Sequence, residues 1–188
     1  MTIKVEALPL EGVLLVTPPR FDDCRGFFSE TYNAALWAEI GITAPFVQDN
    51  HSLSCHRDTV RGLHCQVPPC PQGKLVRCSR GAIWDVAVDV RAGSRTFGQW
   101  VAATLSAENG SQLWIPPGFL HGFCTLGENT EVQYKCTGLW DRACERVVRW
   151  NDETLGIEWP VSDRQAVLSA RDAQAPPFSS VIDWFQYP

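Results

Sequence analysis

Between Phe46 and Trp150 the chain is written in short runs of alternating apolar and polar residues, most of them closed by glycine or proline. Alternation with period two places successive side chains on opposite faces of an extended strand, so the pattern predicts half-buried sheet. In AIWDVAVDV, Trp84, Val86, Val88 and Val90 alternate with Ile83, Asp85, Ala87 and Asp89. One face of that strand is wholly apolar and the other carries two carboxylates. In EVQYKCT, Val132, Tyr134 and Cys136 share the face opposite Glu131, Gln133, Lys135 and Thr137, which turns Tyr134 inward. Turn signals at 67–73, 92–94, 107–110 and 116–118 divide the region into short antiparallel strands, the spacing of a sandwich or jelly roll.

Helices are peripheral in this reading. The segment Asn33 to Ile40, NAALWAEI, predicts a short helix with Asn33 as N-cap and Gly41 as its stop, and a helical turn starts at Ser169. No repeat or linker divides the chain, so residues 1–188 read as one domain, long enough to bury a core. A formal charge of −5 argues against a generally basic nucleic-acid binder but leaves room for a local positive pocket that takes an anion. Neither a signal-peptide pattern nor a run of membrane-spanning length is present, and the expected location is the cytoplasm.

Eight cysteines raise the question of a disulfide scaffold or a zinc site. No C-x-x-C pair occurs, and Cys65, Cys70 and Cys78 follow no common zinc-ribbon spacing. The expectation is reduced thiols used as small hydrophobes.

The chemistry concentrates in VRGLHCQVPPCPQGKLVR, Val60 to Arg77. A metal-dependent cupin is the first candidate, because IPPGFLHGF supplies the P-x-G-x-x-H element ending in His121. Its other half is missing: the chain has His64-Cys65-Gln66 where H-x-H is needed, and no Asp or Glu occurs from Cys65 to Gly81. His64 and His121 alone do not make a catalytic metal site. A Cys65–His64 dyad fails because neighbours on a strand point to opposite faces. Acid–base chemistry beside a bound anion remains. His64 titrates nearest neutrality, Asp172 or an inward Asp85 could hold its tautomer, and Lys74 could face a developing oxyanion. Tyr134 could return a proton from the other side, and Arg25, Arg61 and Arg171 could grip phosphates. That set suits epimerisation next to a carbonyl. On the residues alone, it stands beside a structural histidine, solvated charges at Arg61 and Lys74, and a Tyr134 that caps a core.

The order of motifs adds more. DDCRGFFSETYN, FVQDNHS, VRGLH, QGKLVR, DVAVDVRAGSRTFGQW, LSAENGSQLWIPPGFLHGF, EVQYKCT, ERVVRWNDETLGIEWP and LSARD run nearly end to end. Together they resemble the dTDP-4-dehydrorhamnose 3,5-epimerase family. The resemblance implies an all-β, cupin-type jelly-roll sandwich with a few short peripheral helices. It makes His64 the proton acceptor, Asp172 its dyad partner, Tyr134 the proton donor and Lys74 the enolate stabiliser. Arg25, Glu30, Gln48, Asp49, Asn50, Arg61, His121, Glu145 and Arg171 fall on nucleotide-sugar-binding positions. It implies no metal and no cofactor, a dTDP-4-keto-6-deoxyhexose as substrate, and a homodimer in which Arg25 and Glu30 serve the neighbour's site.

The chain departs from the family pattern at four places. Cys65 replaces the usual aromatic residue after the RGLH histidine, and Cys70 stands where PPHAQGK-type members carry histidine. Arg171 replaces a common lysine, and Leu139–Trp140 replaces an aromatic pair. These positions bear on pocket shape, which separates double epimerases from mono-epimerases of related dTDP-4-keto-deoxysugars. A metal-dependent cupin and a non-catalytic nucleotide-sugar binder are the readings from other classes.

Overall fold

The computed structural model describes residues 2–181 and 183–187. In chain order the strands are β1 (Lys4–Ala7), β2 (Leu14–Thr17), β3 (Phe21–Asp23), β4 (Gly26–Phe28), β5 (Gln48–Ser54), β6 (Val60–Gln66), β7 (Lys74–Arg80) and β8 (Ala82–Asp89). They continue with β9 (Arg91–Ala92), β10 (Trp100–Ser106), β11 (Gln112–Ile115), β12 (Phe119–Thr125), β13 (Thr130–Cys136), β14 (Glu145–Val147) and β15 (Phe185–Gln186). The helices are α1 (Ala34–Glu39) and α2 (Ala170–Ala173).

A six-stranded sheet ordered β1-β2-β11-β7-β13-β5 faces a five-stranded sheet ordered β10-β8-β12-β6-β14, and every pairing within these two sheets is antiparallel. Side chains of both sheets meet in one apolar cluster: Val76, Leu113 and Val132 from the first, Ile83, Leu105 and Phe123 from the second. This is the jelly-roll sandwich that the alternation predicts. Each such aliphatic side chain removed from water contributes about 1.5–3 kcal/mol, so the sheet-to-sheet layer is the main source of stability.

The apolar face of β8 points away from that layer. Val86 and Val88 pack with Leu63, Cys65, Leu155, Phe178 and Phe185, so the segment after β14 folds back as a second cover. Both faces of β8 are therefore buried, and Asp85 and Asp89 lie fully inside. Asp89 organises the following turn, accepting hydrogen bonds from Arg91, Ser94 and Thr96.

The predicted helix forms as α1. The Asn33 side chain accepts from the backbone N–H groups of Ala35 and Leu36, and Gly41 follows with φ +91°. Trp37 is its buried anchor. Among the described residues no helix is long and apolar enough to cross a membrane.

Candidate active site

Strand register assembles the site. In the β6–β12 pair His64 lies opposite His121, next to a register irregularity between His121 and Phe123. At that irregularity the two backbones touch: a Cβ on Gly62, which has φ +126°, would sit 2.6 Å from the Gly122 Cα. The glycine of RGLH is thus required for the close approach that brings the histidines side by side. On the facing sheet Lys74 opens β7 opposite Cys136, and Tyr134 lies opposite Asn50. His64 and His121 belong to one sheet, Lys74 and Tyr134 to the other, and both sets reach the same interior.

Two cavities share His64, Lys74 and Tyr134 as walls. One, of about 330 Å³, is also bounded by Gln48, Asn50, Trp140 and Glu145. The other, of about 410 Å³, is also bounded by Arg61, His121, Arg171 and Asp172. Arg171 donates to Glu145 at 2.7 Å, linking the two rims.

α2 delivers the carboxylate. Ser169 caps the helix by accepting from the Asp172 backbone N–H at 3.1 Å, which fixes Asp172 in the first turn. Its Oδ1 stands 2.6 Å from His64 Nε2. With Nε2–H donating to that carboxylate, Nδ1 is the ring nitrogen left to take a proton. Burial alone pushes the Asp172 carboxyl upward. Its hydrogen bond and charge attraction to His64, with help from Ser169 and Arg171, outweigh that and hold it below the usual range.

A second histidine–aspartate pair lies deeper. His121 Nε2 is 2.7 Å from Asp85 Oδ1, while Asp85 Oδ2 is buried without a hydrogen-bond partner. Burial drives the His121 pKa down against the pull of Asp85, favouring the neutral ring. Lys74 is also enclosed, and desolvation lowers its pKa although Cys136, Cys65, Asp85 and Glu145 oppose the shift. Tyr134 moves the other way, because burial penalises its phenolate. His64, Lys74 and Tyr134 therefore line one polar interior.

Most residues expected at the site converge there. His64, Lys74, Tyr134, Asp172, Gln48, Asn50, Arg61, His121, Glu145 and Arg171 all line one or both cavities. Asp49 does not: on β5 it alternates away from Gln48 and Asn50 and pairs on the outer face with Lys135 at 2.9 Å. Arg25 is ion-paired with Asp23 on the exposed β3–β4 hairpin, and Glu30 accepts from Asn33 beside α1. Of the two carboxylates considered for His64, the structure joins Asp172 to it and gives Asp85 to His121. Cys65 packs into the outer cover, and burial pushes its thiol up to about 12, far from a thiolate nucleophile. Cys24 and Cys55 are exposed, so those two do not act as core hydrophobes. Trp140, which the sequence tied to pocket shape, walls the 330 Å³ cavity, and so does Gln72, which sequence reasoning missed. Both lie in loops without periodicity.

Comparison with known proteins agrees with this geometry. The family model described as dTDP-4-dehydrorhamnose 3,5-epimerase matches residues 7–180. The dTDP-4-dehydrorhamnose 3,5-epimerase of Salmonella typhimurium is 54% identical over 177 residues, covering 94% of each chain. The solved dTDP-6-deoxy-D-glucose-3,5-epimerase of Legionella pneumophila, in complex with dTDP-4-keto-L-rhamnose, superposes with a TM-score of 0.94 at 40% identity, covering 99% of each chain. A 3'-monoepimerase from Streptomyces bikiniensis, in complex with dTDP-quinovose, has a TM-score of 0.84 at 35% identity, covering 92% of this chain and 86% of its own.

Proposed function

The chain belongs to the dTDP-4-dehydrorhamnose 3,5-epimerase family, and from that premise we propose that it epimerises dTDP-4-keto-6-deoxy-D-glucose at C-3 and C-5, giving dTDP-4-keto-L-rhamnose. One observation carries the reading: His64, held by Asp172, reaches from one sheet the interior that Lys74 and Tyr134 reach from the other. The 4-keto group acidifies the C–H bonds on either side of it. His64 removes one proton, and the Asp172 carboxylate steadies the imidazolium that results. The Lys74 ammonium, on the wall of both cavities, is suited to stabilise the negative charge that grows on the enolate oxygen. Tyr134, from the opposite sheet, or water protonates the opposite face of the carbon; His64 then gives its proton to solvent, Tyr134 regains one from solvent, and a second round treats the other centre.

Binding groups sort around that chemistry. Arg61, Arg171 and His121 are suited to the diphosphate and sugar, and their remote contacts fix the ring for proton transfer. We further infer a homodimer in which Arg25 and Glu30 complete the partner's site. Support comes from their standing outside the walls of the two cavities that hold His64 and from Phe21, Phe27 and Phe28, left exposed on the hairpin that carries Arg25. A monomeric mass in solution together with full activity would exclude the dimer. The reading treats residues 1–188 as one domain and places it in the cytoplasm, where its unbridged cysteines would stay reduced. The reaction as written needs no metal or cofactor. His64 and His121 belong to no cluster of three metal-ligating side chains among the described residues.

A mono-epimerase is the second reading, favoured by the likeness to the 3'-monoepimerase and by the altered rim at Leu139–Trp140. Turnover of dTDP-4-keto-6-deoxyglucose in deuterated water separates the two. Label at both C-3 and C-5 supports double epimerisation, and label at one carbon supports the second reading. No label, with substrate bound, means a binding protein and overturns both.

A further inference from the structure

Away from both cavities, three metal-ligating side chains converge: Cys70, Asp141 and Cys144, with Sγ, carboxylate O and Sγ all within 4.8 Å of one another. Cys70 belongs to the proline-rich turn between β6 and β7, and the other two to the link between β13 and β14. The Cys70 Sγ to Asp141 Oδ2 distance is 3.8 Å. Tetrahedral zinc, with Zn–S near 2.3 Å and Zn–O near 2.0–2.2 Å, requires S···O and S···S separations of about 3.6 and 3.8 Å. The observed S···O separation is within a few tenths of an ångström of this, and the 4.8 Å limit on the cluster leaves the two sulfurs about 1 Å or less to close.

The surrounding backbone is already fixed for this. Gln66, itself buried, donates to the carbonyls of Cys70 and Leu139 and accepts from the Asp141 backbone N–H at 2.6 Å. The Cys144 carbonyl accepts from the Val67 N–H at 2.9 Å. Asp141 Oδ1 accepts from the Ala143 N–H at 2.7 Å, so that oxygen is occupied while Oδ2 is aimed at Cys70. Such outer hydrogen bonds orient ligands in metal sites. Cys144 forms a buried floor, whereas Cys70 and Asp141 are partly exposed, which gives an entry path and a place for water as fourth ligand.

We propose that Cys70, Asp141 and Cys144 bind one zinc ion that clips the turn before β7 to the link before β14. Two thiolates and one carboxylate suit zinc, and binding releases the two thiol protons to solvent. The ion takes no part in proton transfer, since none of the three side chains lines either cavity. It braces their rim instead. Trp140 precedes Asp141, Glu145 follows Cys144, and Gln72 lies in the same turn as Cys70; all three wall the 330 Å³ cavity. The proposal stands independently of the epimerase reading.

The test uses the full chain, kept reduced with a phosphine, stripped with a chelator and titrated with zinc or cobalt(II). The expected result is one equivalent of zinc by elemental analysis and a thiolate-to-cobalt charge-transfer band. Hydrogen exchange should slow in residues 67–73 and 138–145 on zinc addition. Cys70→Ser and Cys144→Ser should each weaken binding by more than about 100-fold, beyond the roughly 10–100-fold typical of losing an outer partner. Cys24→Ser and Cys55→Ser, at exposed thiols outside the cluster, should bind as the parent does. Near-ultraviolet circular dichroism checks that each variant is folded. Three outcomes overturn the proposal: no uptake by the folded, reduced chain; uptake that survives both Cys70→Ser and Cys144→Ser; or a Cys70–Cys144 disulfide formed in air by a chain whose reduced form takes up no zinc.

Discussion

His64 and His121 face each other across one strand pair, each within 2.7 Å of an aspartate, yet their surroundings differ. The His64 side chain is 28% exposed and its aspartate arrives on a helix from the end of the chain, whereas the His121 side chain is 7% exposed and its aspartate is wholly buried on a neighbouring strand. The same pair of residue types therefore supports two tasks. The His64 ring is partly open to the cavities that it lines and stays joined to a carboxylate. Deep burial favours the neutral form of His121 and suits it to hold a geometry. Asymmetry of burial, more than residue identity, separates the two histidine–aspartate pairs.

The largest expected effect tests the reactive half of this contrast. His64→Ala should lower kcat/KM by about 10³–10⁴-fold, the upper part of the range for a general base, and should also cost some stability, because Asp172 loses the partner that holds its carboxyl down. Steady-state assays and solvent-deuterium wash-in check it; retained wash-in would move the base elsewhere. His121→Ala should weigh mainly on stability, with a rise in KM where its contact to the substrate is lost. It leaves both carboxyl oxygens of Asp85 buried without a hydrogen-bond partner, which costs about 1–3 kcal/mol of folding free energy or more. Urea unfolding reads this directly, and an unchanged midpoint would show that Asp85 finds another partner.

Asp172→Asn sharpens the comparison from the carboxylate side. Without the ionised partner, His64 loses its preferred tautomer, and kcat should fall about 10²-fold. The stability change carries a sign. The Asp172 pKa is lower folded than unfolded, so the parent's advantage is complete above the ordinary carboxylate range. It is lost as pH falls through the depressed folded value. Unfolding curves of parent and variant should therefore differ at neutral pH and converge in acid. A gap that persists in acid would assign the effect to packing.

How much of this was legible in the sequence depended on whether period-two alternation reached the residue. It placed Tyr134 inward, set Cys65 away from His64 and marked the two carboxylates of β8 as sharing a face. The same rule applied to FVQDNHS separates Asp49 from Gln48 and Asn50, as observed. Capping chemistry located α1 through Asn33 and α2 through Ser169. Alternation could not choose between Asp85 and Asp172 for His64, because that choice rests on which strand lies opposite which, and His121 claims Asp85. Nor could it show that Phe178 and Phe185 cover the outer face of β8, or that Cys70 meets Asp141 from 71 residues away. Those contacts join irregular segments, where no period carries information.

The smallest expected effect concerns the pair facing the histidines. Lys74 stabilises negative charge only as an ammonium, and burial brings its pKa below the usual lysine value. Tyr134 donates only as a phenol, and burial keeps it protonated beyond the usual tyrosine value. The two shifts run in opposite directions, lysine down and tyrosine up, and the expected outcome is that Lys74 sets the alkaline limb of the kcat profile. Lys74→Arg keeps the charge to far higher pH but changes its shape, so the rate should fall by less than about 10²-fold. The alkaline limb should move up until Tyr134 sets it. Tyr134→Phe should lower the rate without moving the limb. If the limb stays in place in Lys74→Arg and moves in Tyr134→Phe, the two groups exchange roles, and the oxyanion partner must be sought elsewhere along the shared wall.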